Sequence, residues 1–160
     1  EILKMILCIA EAIQNLWHYK IVHCDINPNN IMMTKNSDFY LIDLGLAKHL
    51  DQETITKTGC IFGTPGYIAP EQLYGRSNLT LKADFYSLGI VAYELITGLN
   101  PFLNNQNLIF KLKEPPRLDE SVCKSDSLRN LVNRLTKKQP YLRPLNFQMI
   151  LKMVKENKKE

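Results

Sequence analysis

Two short polar segments in the first third of the chain contain the residues best suited to chemistry. Asp25 and Asn30 lie in the first segment, and Asp43 opens the second, an Asp-Leu-Gly triplet. Carboxylate and amide oxygens are ligands that a hard cation such as Mg²⁺ prefers. Phosphoryl transfer uses such a set, because one carboxylate orients the attacking hydroxyl while the metal ligands help to neutralise the phosphate charge. Either segment alone could equally be an ordinary polar turn.

The spacing of the two segments favours chemistry, because they bracket a predicted β-hairpin. Residues 31–34 and 39–42 are typical of short strands, and the polar residues 35–38 are typical of the turn between them. A hairpin would bring Asn30 and Asp43 together at one end, beside Asp25. The two segments are therefore predicted to form a single site.

Most of the remaining chain is predicted to be helical. Apolar residues recur at three- and four-residue steps over residues 2–17, 80–97 and 126–136, and Pro144 is expected to open a last helix. Residues 20–30 and 43–68 are expected to be loops. The expected fold class is therefore mainly α with a small β-hairpin.

The helix over residues 80–97 has the clearest end signals. Thr80 suits the N-cap position, and Gly98 suits the residue that stops the helix. One face of this helix is predicted to be buried, and it comprises Phe85, Leu88, Val91, Ala92 and Leu95.

Composition excludes several classes of protein. The chain has 160 residues, of which 45% are hydrophobic, and a formal net charge of +4. These values predict one folded domain, assigned to residues 1–155, followed by a charged tail at 156–160. No apolar run approaches the ~20 residues of a membrane-spanning helix. Four scattered cysteines without a Cys-x-x-Cys pair predict reduced thiols in a cytoplasmic protein.

The distribution of charge bears on possible partners. The second half of the chain is more basic than the first, but its cations are mixed with acidic residues and lack interleaved aromatic residues. This pattern predicts a solvated helical surface and no nucleic-acid partner.

Three further motifs follow the two polar segments. Residues 63–71 read Gly-Thr-Pro-Gly-Tyr-Ile-Ala-Pro-Glu, residues 84–89 read Asp-Phe-Tyr-Ser-Leu-Gly, and residues 142–144 read Leu-Arg-Pro. Together with His-Cys-Asp at 23–25 and Asp-Leu-Gly at 43–45, this order resembles the eukaryotic-type (Hanks-type) Ser/Thr protein kinase family. The catalytic loop of that family reads H-R-D-L-x-x-x-N, and its metal motif reads D-F-G. The resemblance covers essentially the whole chain and implies the C-terminal lobe of the kinase fold.

The resemblance implies transfer of the ATP γ-phosphoryl group to a protein Ser or Thr hydroxyl, with Mg²⁺ as a cofactor. Asp25 would be the catalytic base, and Asn27 would occupy a catalytic position beside it. Asn30 and Asp43 would hold Mg²⁺ and contact ATP, while Met32 would lie under the adenine.

The later motifs imply docking and structural roles. Gly63 and Thr64 would belong to the loop that docks the protein substrate. The structural roles are hydrogen bonding of the catalytic-loop backbone to Asp84, an ion pair between Glu71 and Arg143, and stacking of His23 on Leu44. Candidate phosphorylation sites are Thr54, Thr56 and Thr58.

The chain departs from the family pattern at three positions. Cys24 replaces an Arg that normally grips a phosphate on the activation loop, and a thiol cannot make that bidentate contact. Asn27 replaces a Lys that contacts the transferring phosphate, and an amide brings no charge to stabilise it. Leu44 replaces Phe, which is a mild change in volume.

Sequence motifs of the N-terminal kinase lobe are expected to lie outside this chain. It begins with Glu1 rather than Met, at the helix that normally precedes the catalytic loop, and contains no glycine-rich phosphate loop. The missing lobe is thus an expected partner, and some apolar residues should form the surface that faces it. Because catalysis depends on positioning between two lobes, the isolated 160 residues are predicted to have negligible kinase activity.

Two other functions fit part of the pattern. Cys24 and Asn27 would suit a pseudokinase or binding module, although the three chemical positions Asp25, Asn30 and Asp43 are all present. A small-molecule phosphotransferase of the aminoglycoside or choline kinase type shares the H-x-D-x-x-x-x-N loop. Those enzymes lack the Gly-Thr-Pro-Gly-Tyr…Ala-Pro-Glu segment, which is present here in full.

Overall fold

Two long helices form the centre of the fold. The computed structural model describes residues 1–45, 47–49, 63–74, 78–103 and 113–156. Helix α1 (Ile2–His18) buries Met5, Ile6, Ile9, Ala10 and Ile13, which lie on one side because they are three or four residues apart. This face packs against α2 (Leu81–Thr97), so the apolar periodicity at the start of the chain is confirmed.

Helix α2 lies at the middle of the core and is buried around nearly its whole circumference from Leu81 to Tyr93. Thr80 Oγ1 accepts a hydrogen bond from the Lys82 N–H at 3.3 Å, as expected for an N-cap residue. Gly98 ends the helix with φ +77°, and its N–H donates to the Glu94 carbonyl at 2.7 Å. Leu95 is 53% exposed, so its predicted place on the buried face is wrong: in the last turn of the helix Ile96 packs against the core instead.

Helix α3 (Asp126–Leu135) packs against α2, and α4 (Phe147–Glu156) packs against both α3 and α1. Gly89 of α2 lets α3 approach closely, because a Cβ at this position would lie 2.7 Å from Leu135 Cβ. The N–H of Leu128 donates to the Ser125 hydroxyl at 3.4 Å, which caps α3.

The last helix starts later than the sequence indicated. Pro144 does not open it; a 3₁₀ turn (Pro140–Leu142) comes first, and Arg143 before the proline is extended. Asn146 Oδ1 accepts the Met149 N–H at 2.9 Å, so an asparagine cap sets the start of α4 at Phe147. The helix includes Lys155 and Glu156, two residues at the boundary of the predicted charged tail.

Two small antiparallel sheets pack against α1 and α2. In the predicted hairpin, β2 (Ile31–Met33) pairs with β3 (Phe39–Leu41), with Met32 opposite Tyr40. A second sheet pairs β1 (Ile21–Val22) with β4 (Lys48–His49), in segments expected to be loops. Strands of two residues carry too short a pattern to be read from sequence, and distant segments of the chain form this pair.

The described helices include none with the length and apolar content that a membrane crossing requires.

Candidate active site

The carboxylate of Asp25 accepts hydrogen bonds from three residues. Its Oδ1 accepts from the Thr64 N–H at 2.9 Å, the Thr64 hydroxyl at 2.7 Å and Asn27 Nδ2 at 3.1 Å. Its Oδ2 accepts from Asn30 Nδ2 at 3.2 Å. These donors come from the segment that contains Asp25 and from a segment much later in the chain, so the tertiary structure fixes the direction of the carboxylate.

Asn27 is buried and hydrogen bonded through both ends of its amide. Its Oδ1 accepts the Asn29 N–H at 2.9 Å and so caps the 3₁₀ turn Pro28–Asn30. Its Nδ2 donates to Asp25 and to the Thr64 hydroxyl, each at 3.1 Å. Asn27 therefore links the predicted base to the predicted docking residue, but as a neutral donor it adds no positive charge.

The hairpin brings Asn30 and Asp43 to the same end of the β2–β3 ladder. The Ile42 N–H donates to the Asn30 carbonyl at 2.9 Å, which continues the ladder by one step beyond the Ile31–Leu41 pair. Asp43 follows directly, with φ +62°, and its Oδ1 accepts the Gly45 N–H at 2.8 Å. A short polar turn thus presents the Asp43 carboxylate to solvent beside residues 23–30, the predicted catalytic segment.

The residues present fit a magnesium ion that is shared with phosphate groups. Within the described ranges, no cluster of three or more His, Cys, Asp or Glu side chains forms a closed metal site. Asn30 donates through its nitrogen to Asp25, so its amide oxygen is the atom that would bind a metal. Mg²⁺ commonly takes one or two protein oxygens and completes its shell with water and substrate phosphates, so Asn30 and Asp43 suffice as protein ligands.

A buried carboxylate on α2 accepts hydrogen bonds from the backbone of the catalytic segment. Asp84 is 1% exposed and accepts the N–H groups of His23 at 2.8 Å and of Cys24 at 2.9 Å. Burial raises the pKa of Asp84 to about 6, and the two N–H donors oppose that rise by stabilising the charged form. The carboxylate lies in the first turn of α2, where the helix dipole also favours negative charge.

His23 joins the catalytic segment to the hairpin. The Asp25 N–H donates to His23 Nδ1 at 3.3 Å, so Nε2 is the protonated nitrogen and donates to the Ile42 carbonyl at 3.2 Å. His23 is completely buried, whereas Leu44 is 53% exposed, and their predicted stacking stays a prediction. Met32 is also half exposed at 49%, on the surface of the hairpin.

Glu71 and Arg143 form a bidentate ion pair. Arg143 Nη1 donates to Glu71 Oε1 at 2.6 Å, and Nη2 donates to Oε2 at 3.0 Å. Arg143 is 2% exposed, and further hydrogen bonds reach the carbonyls of Lys82, Lys137 and Lys138 at 2.7–2.8 Å. The guanidinium also lies 4.8 Å from the ring centre of Tyr86. This cluster anchors the 3₁₀ turn Pro70–Tyr74 to the helices.

The segment that contains Gly63 and Thr64 passes directly over the catalytic segment. Gly63 has φ +108°, and a Cβ there would lie 2.6 Å from the Cys24 carbonyl oxygen, so only glycine fits. Thr64 follows and donates twice to Asp25. The candidate phosphorylation sites Thr54, Thr56 and Thr58 lie outside the described residues.

One buried residue of this region was not singled out from the sequence. Gln72 donates through Nε2 to the Cys24 carbonyl at 3.0 Å and accepts the Ala69 N–H through Oε1 at 2.9 Å. Its position directly after Ala-Pro-Glu carries no chemical signal of its own. Its contact with a residue 48 positions earlier follows only from the fold.

The order of the motifs, the helical core and the hairpin agree with the family resemblance of the sequence. Residues 1–154 match the family model described as "Protein kinase domain". The chain belongs to the protein kinase domain family.

Curated relatives carry names that agree with this assignment. The chain is 34% identical over 145 residues to the serine/threonine-protein kinase PknA of Mycobacterium tuberculosis, covering 88% of this chain and 33% of the relative. It is 35% identical over 135 residues to the serine/threonine-protein kinase drp72 of Corynebacterium efficiens, covering 82% of this chain and 25% of the relative. The chain thus spans about a quarter to a third of the length of such relatives.

Proposed function

We propose that this chain is the C-terminal lobe of a Ser/Thr protein kinase, which transfers the γ-phosphoryl group of ATP to a protein hydroxyl. The proposal rests above all on the carboxylate of Asp25, which Thr64, Asn27 and Asn30 hold in one direction. A general base must be oriented toward the attacking hydroxyl before it can accept the proton, and these hydrogen bonds orient the Asp25 carboxylate.

Each polar residue of the site has a distinct part in this proposal. Asp25 accepts the proton of the substrate hydroxyl, and Thr64 places the docking segment, residues 63–71, against it. Asn30 and Asp43 hold Mg²⁺, which when bound with ATP neutralises charge on the phosphates. Asn27 donates a hydrogen bond at the place where the related pattern has a Lys, so transition-state charge is less well stabilised here.

The exposed face of the hairpin agrees with a two-lobed enzyme. Met32, Tyr40 and Ile42 share one face of the hairpin, because Met32 pairs with Tyr40 and Ile42 lies two residues further along the strand direction, and they are 40–53% exposed. Apolar side chains gathered on one surface usually mark an interaction site. In the proposal, residues 1–155 form one lobe, and this surface faces the nucleotide and the N-terminal lobe.

The neutral Asn27 and the buried Cys24 support a second candidate, a pseudokinase that binds Mg·ATP without turnover. Cys24 is buried, and its thiol donates to the Val22 carbonyl at 3.5 Å. The orientation of Asp25 favours the catalytic candidate, because a binding module has no need of an aimed base.

A phosphotransfer assay on the full-length protein separates the two candidates. Asp25→Asn should lower kcat by about 10²- to 10⁴-fold, the usual contribution of a general base, with little change in Mg·ATP affinity. Asp38→Asn is the matched control, since Asp38 lies in the exposed hairpin turn and pairs with Lys4. Turnover that survives Asp25→Asn unchanged would refute the proposed role. Mg·ATP binding by the unsubstituted protein without any turnover would favour the pseudokinase.

A further inference from the structure

The side-chain amide of Gln72 bridges two parts of the candidate site. The residue is buried in the turn Pro70–Tyr74, and its oxygen accepts the Ala69 N–H at 2.9 Å. Its nitrogen donates to the carbonyl of Cys24 at 3.0 Å, in a buried contact. That carbonyl belongs to the peptide group that leads into Asp25.

The backbone at Cys24 has an unusual conformation. Its φ is +68°, a left-handed value that residues with a Cβ rarely adopt. Neighbouring groups hold it: Asp84 accepts its N–H at 2.9 Å, and Gln72 donates to its carbonyl. Rotation of the peptide between Cys24 and Asp25 would break the second contact and the hydrogen bond from the Asp25 N–H to His23 Nδ1, so the backbone that carries the Asp25 side chain would no longer be fixed.

The docking segment also contacts the two residues that this peptide joins, Cys24 and Asp25. Gly63 approaches the Cys24 carbonyl so closely that a Cβ would lie 2.6 Å from the oxygen. The next residue, Thr64, contacts the Asp25 carboxylate. Two consecutive docking residues therefore meet two consecutive catalytic residues. Gln72 lies close by, because its Nε2 is 3.5 Å from the point that a Cβ on Gly63 would occupy.

We propose that Gln72 is a positioning residue, which aims the Asp25 carboxylate by holding the Cys24 carbonyl in place. This inference rests on the proposed kinase function. Asp84 and Gln72 divide the task, because Asp84 holds the N–H groups of His23 and Cys24, whereas Gln72 holds the carbonyl that follows. The Ala69 contact gives Gln72 a second, structural role that the test must separate from the first.

The variant Gln72→Glu separates the two contacts in the full-length protein. A carboxylate can still accept the Ala69 N–H but cannot donate to the Cys24 carbonyl. We expect kcat to fall by about 10- to 100-fold, because small misplacements of a reacting group have effects of that size. The KM values for ATP and for peptide should stay within about threefold, since the variant does not touch the binding groups.

Amide hydrogen exchange supplies a readout that does not depend on turnover. The Asp25 N–H donates to His23, and the Thr64 N–H donates to Asp25, so both should exchange about tenfold faster in Gln72→Glu. The amides of His23 and Cys24 should keep their protection, because Asp84 still accepts them. A merely structural Gln72 would instead loosen all four amides together.

Gln14→Glu is the matched control, because the Gln14 side-chain oxygen also accepts a backbone N–H, that of Phe147 at 3.1 Å, away from the catalytic segment. It should leave kcat and the four amides unchanged. If Gln72→Glu does not fold, Gln72→Asn keeps both hydrogen-bonding groups on a shorter stem and should show the same pattern in weaker form. Unchanged kcat and exchange in the Gln72 variant would overturn the inference. If the unsubstituted protein shows no turnover, the kinase proposal fails, and the exchange pattern still decides whether Gln72 holds Asp25.

Discussion

Arg143 and Asp84 are both buried charged groups, but their surroundings differ. Arg143 lies where the turn Pro70–Tyr74 meets the later helices, and its guanidinium donates to Glu71 and to three backbone carbonyls. Asp84 lies behind the catalytic segment and accepts two backbone N–H groups. Among the residues that the structure describes, Arg143 has an ion-pair partner in direct contact, whereas Asp84 is held by backbone donors.

The difference shows how the two regions use buried charge. The Arg143 cluster satisfies the guanidinium through several segments and therefore acts as a structural junction. Burial disfavours the charged form of Asp84 and raises its pKa to about 6. The two backbone donors do not fully replace the water that the carboxylate loses. Its two hydrogen bonds fix the backbone of His23 and Cys24, which precede Asp25.

The largest effect is expected at the Arg143 junction. Arg143→Met leaves the Glu71 carboxylate without its partner in a partly buried place and removes donors from three carbonyls. Breaking one half of a buried pair typically costs about 3–5 kcal/mol of unfolding free energy. Denaturant unfolding of the full-length protein measures the loss, with the exposed Arg117→Met as the control. A loss no larger than that of the control would show that the junction is not structural.

A smaller loss of stability is expected behind the catalytic segment. Asp84→Asn can accept only one of the two N–H groups, and its own NH₂ faces the other. An unsatisfied buried donor costs about 1–3 kcal/mol, and kcat should fall because the Cys24 backbone is released. Unfolding and peptide phosphorylation are measured on the same preparation. Full activity in this variant would show that Asp84 does not position Asp25.

The contribution of Asp84 to the free energy of unfolding should depend on pH. The folded pKa of Asp84 is about 6 and lies above its ordinary value of 3.8, so the folded state binds the proton more tightly. The stability that this group contributes is present at low pH and is lost as pH rises from about 4 to about 6. The unfolding free energy of the parent minus that of Asp84→Asn should therefore decrease across this window. A rising difference would mean that the backbone donors outweigh burial.

The smallest effect is expected for an exposed ion pair. Lys4 and Asp38 lie 3.1 Å apart, with side chains that are 49% and 51% exposed. Lys4→Ala should change the unfolding free energy by only about 0–1 kcal/mol, and added salt should reduce even that change. A loss comparable to that of Arg143→Met would contradict the view that burial sets the value of these charges.

Local patterns in the sequence predicted the regular elements well. The helices over 2–17 and 80–97 and the hairpin appear nearly as expected, since apolar periodicity and capping residues act over a few neighbours. The start of the last helix was wrong by three residues, because Asn146 rather than Pro144 caps it. The strand pair β1–β4 was missed because each strand has only two residues.

The sequence by itself determined the family, the order of the motifs and the residue types at the site. The resemblance also implied that the catalytic-loop backbone bonds to Asp84. Only the tertiary structure decided which atoms meet: that Thr64 donates twice to Asp25, that Asp84 accepts the N–H groups of His23 and Cys24, and that Gln72 reaches the Cys24 carbonyl. These contacts join residues up to 61 positions apart, and their geometry depends on how the helices pack. Long-range hydrogen bonds produce no periodic pattern in the nearby sequence, so their partners can be identified only from the folded structure.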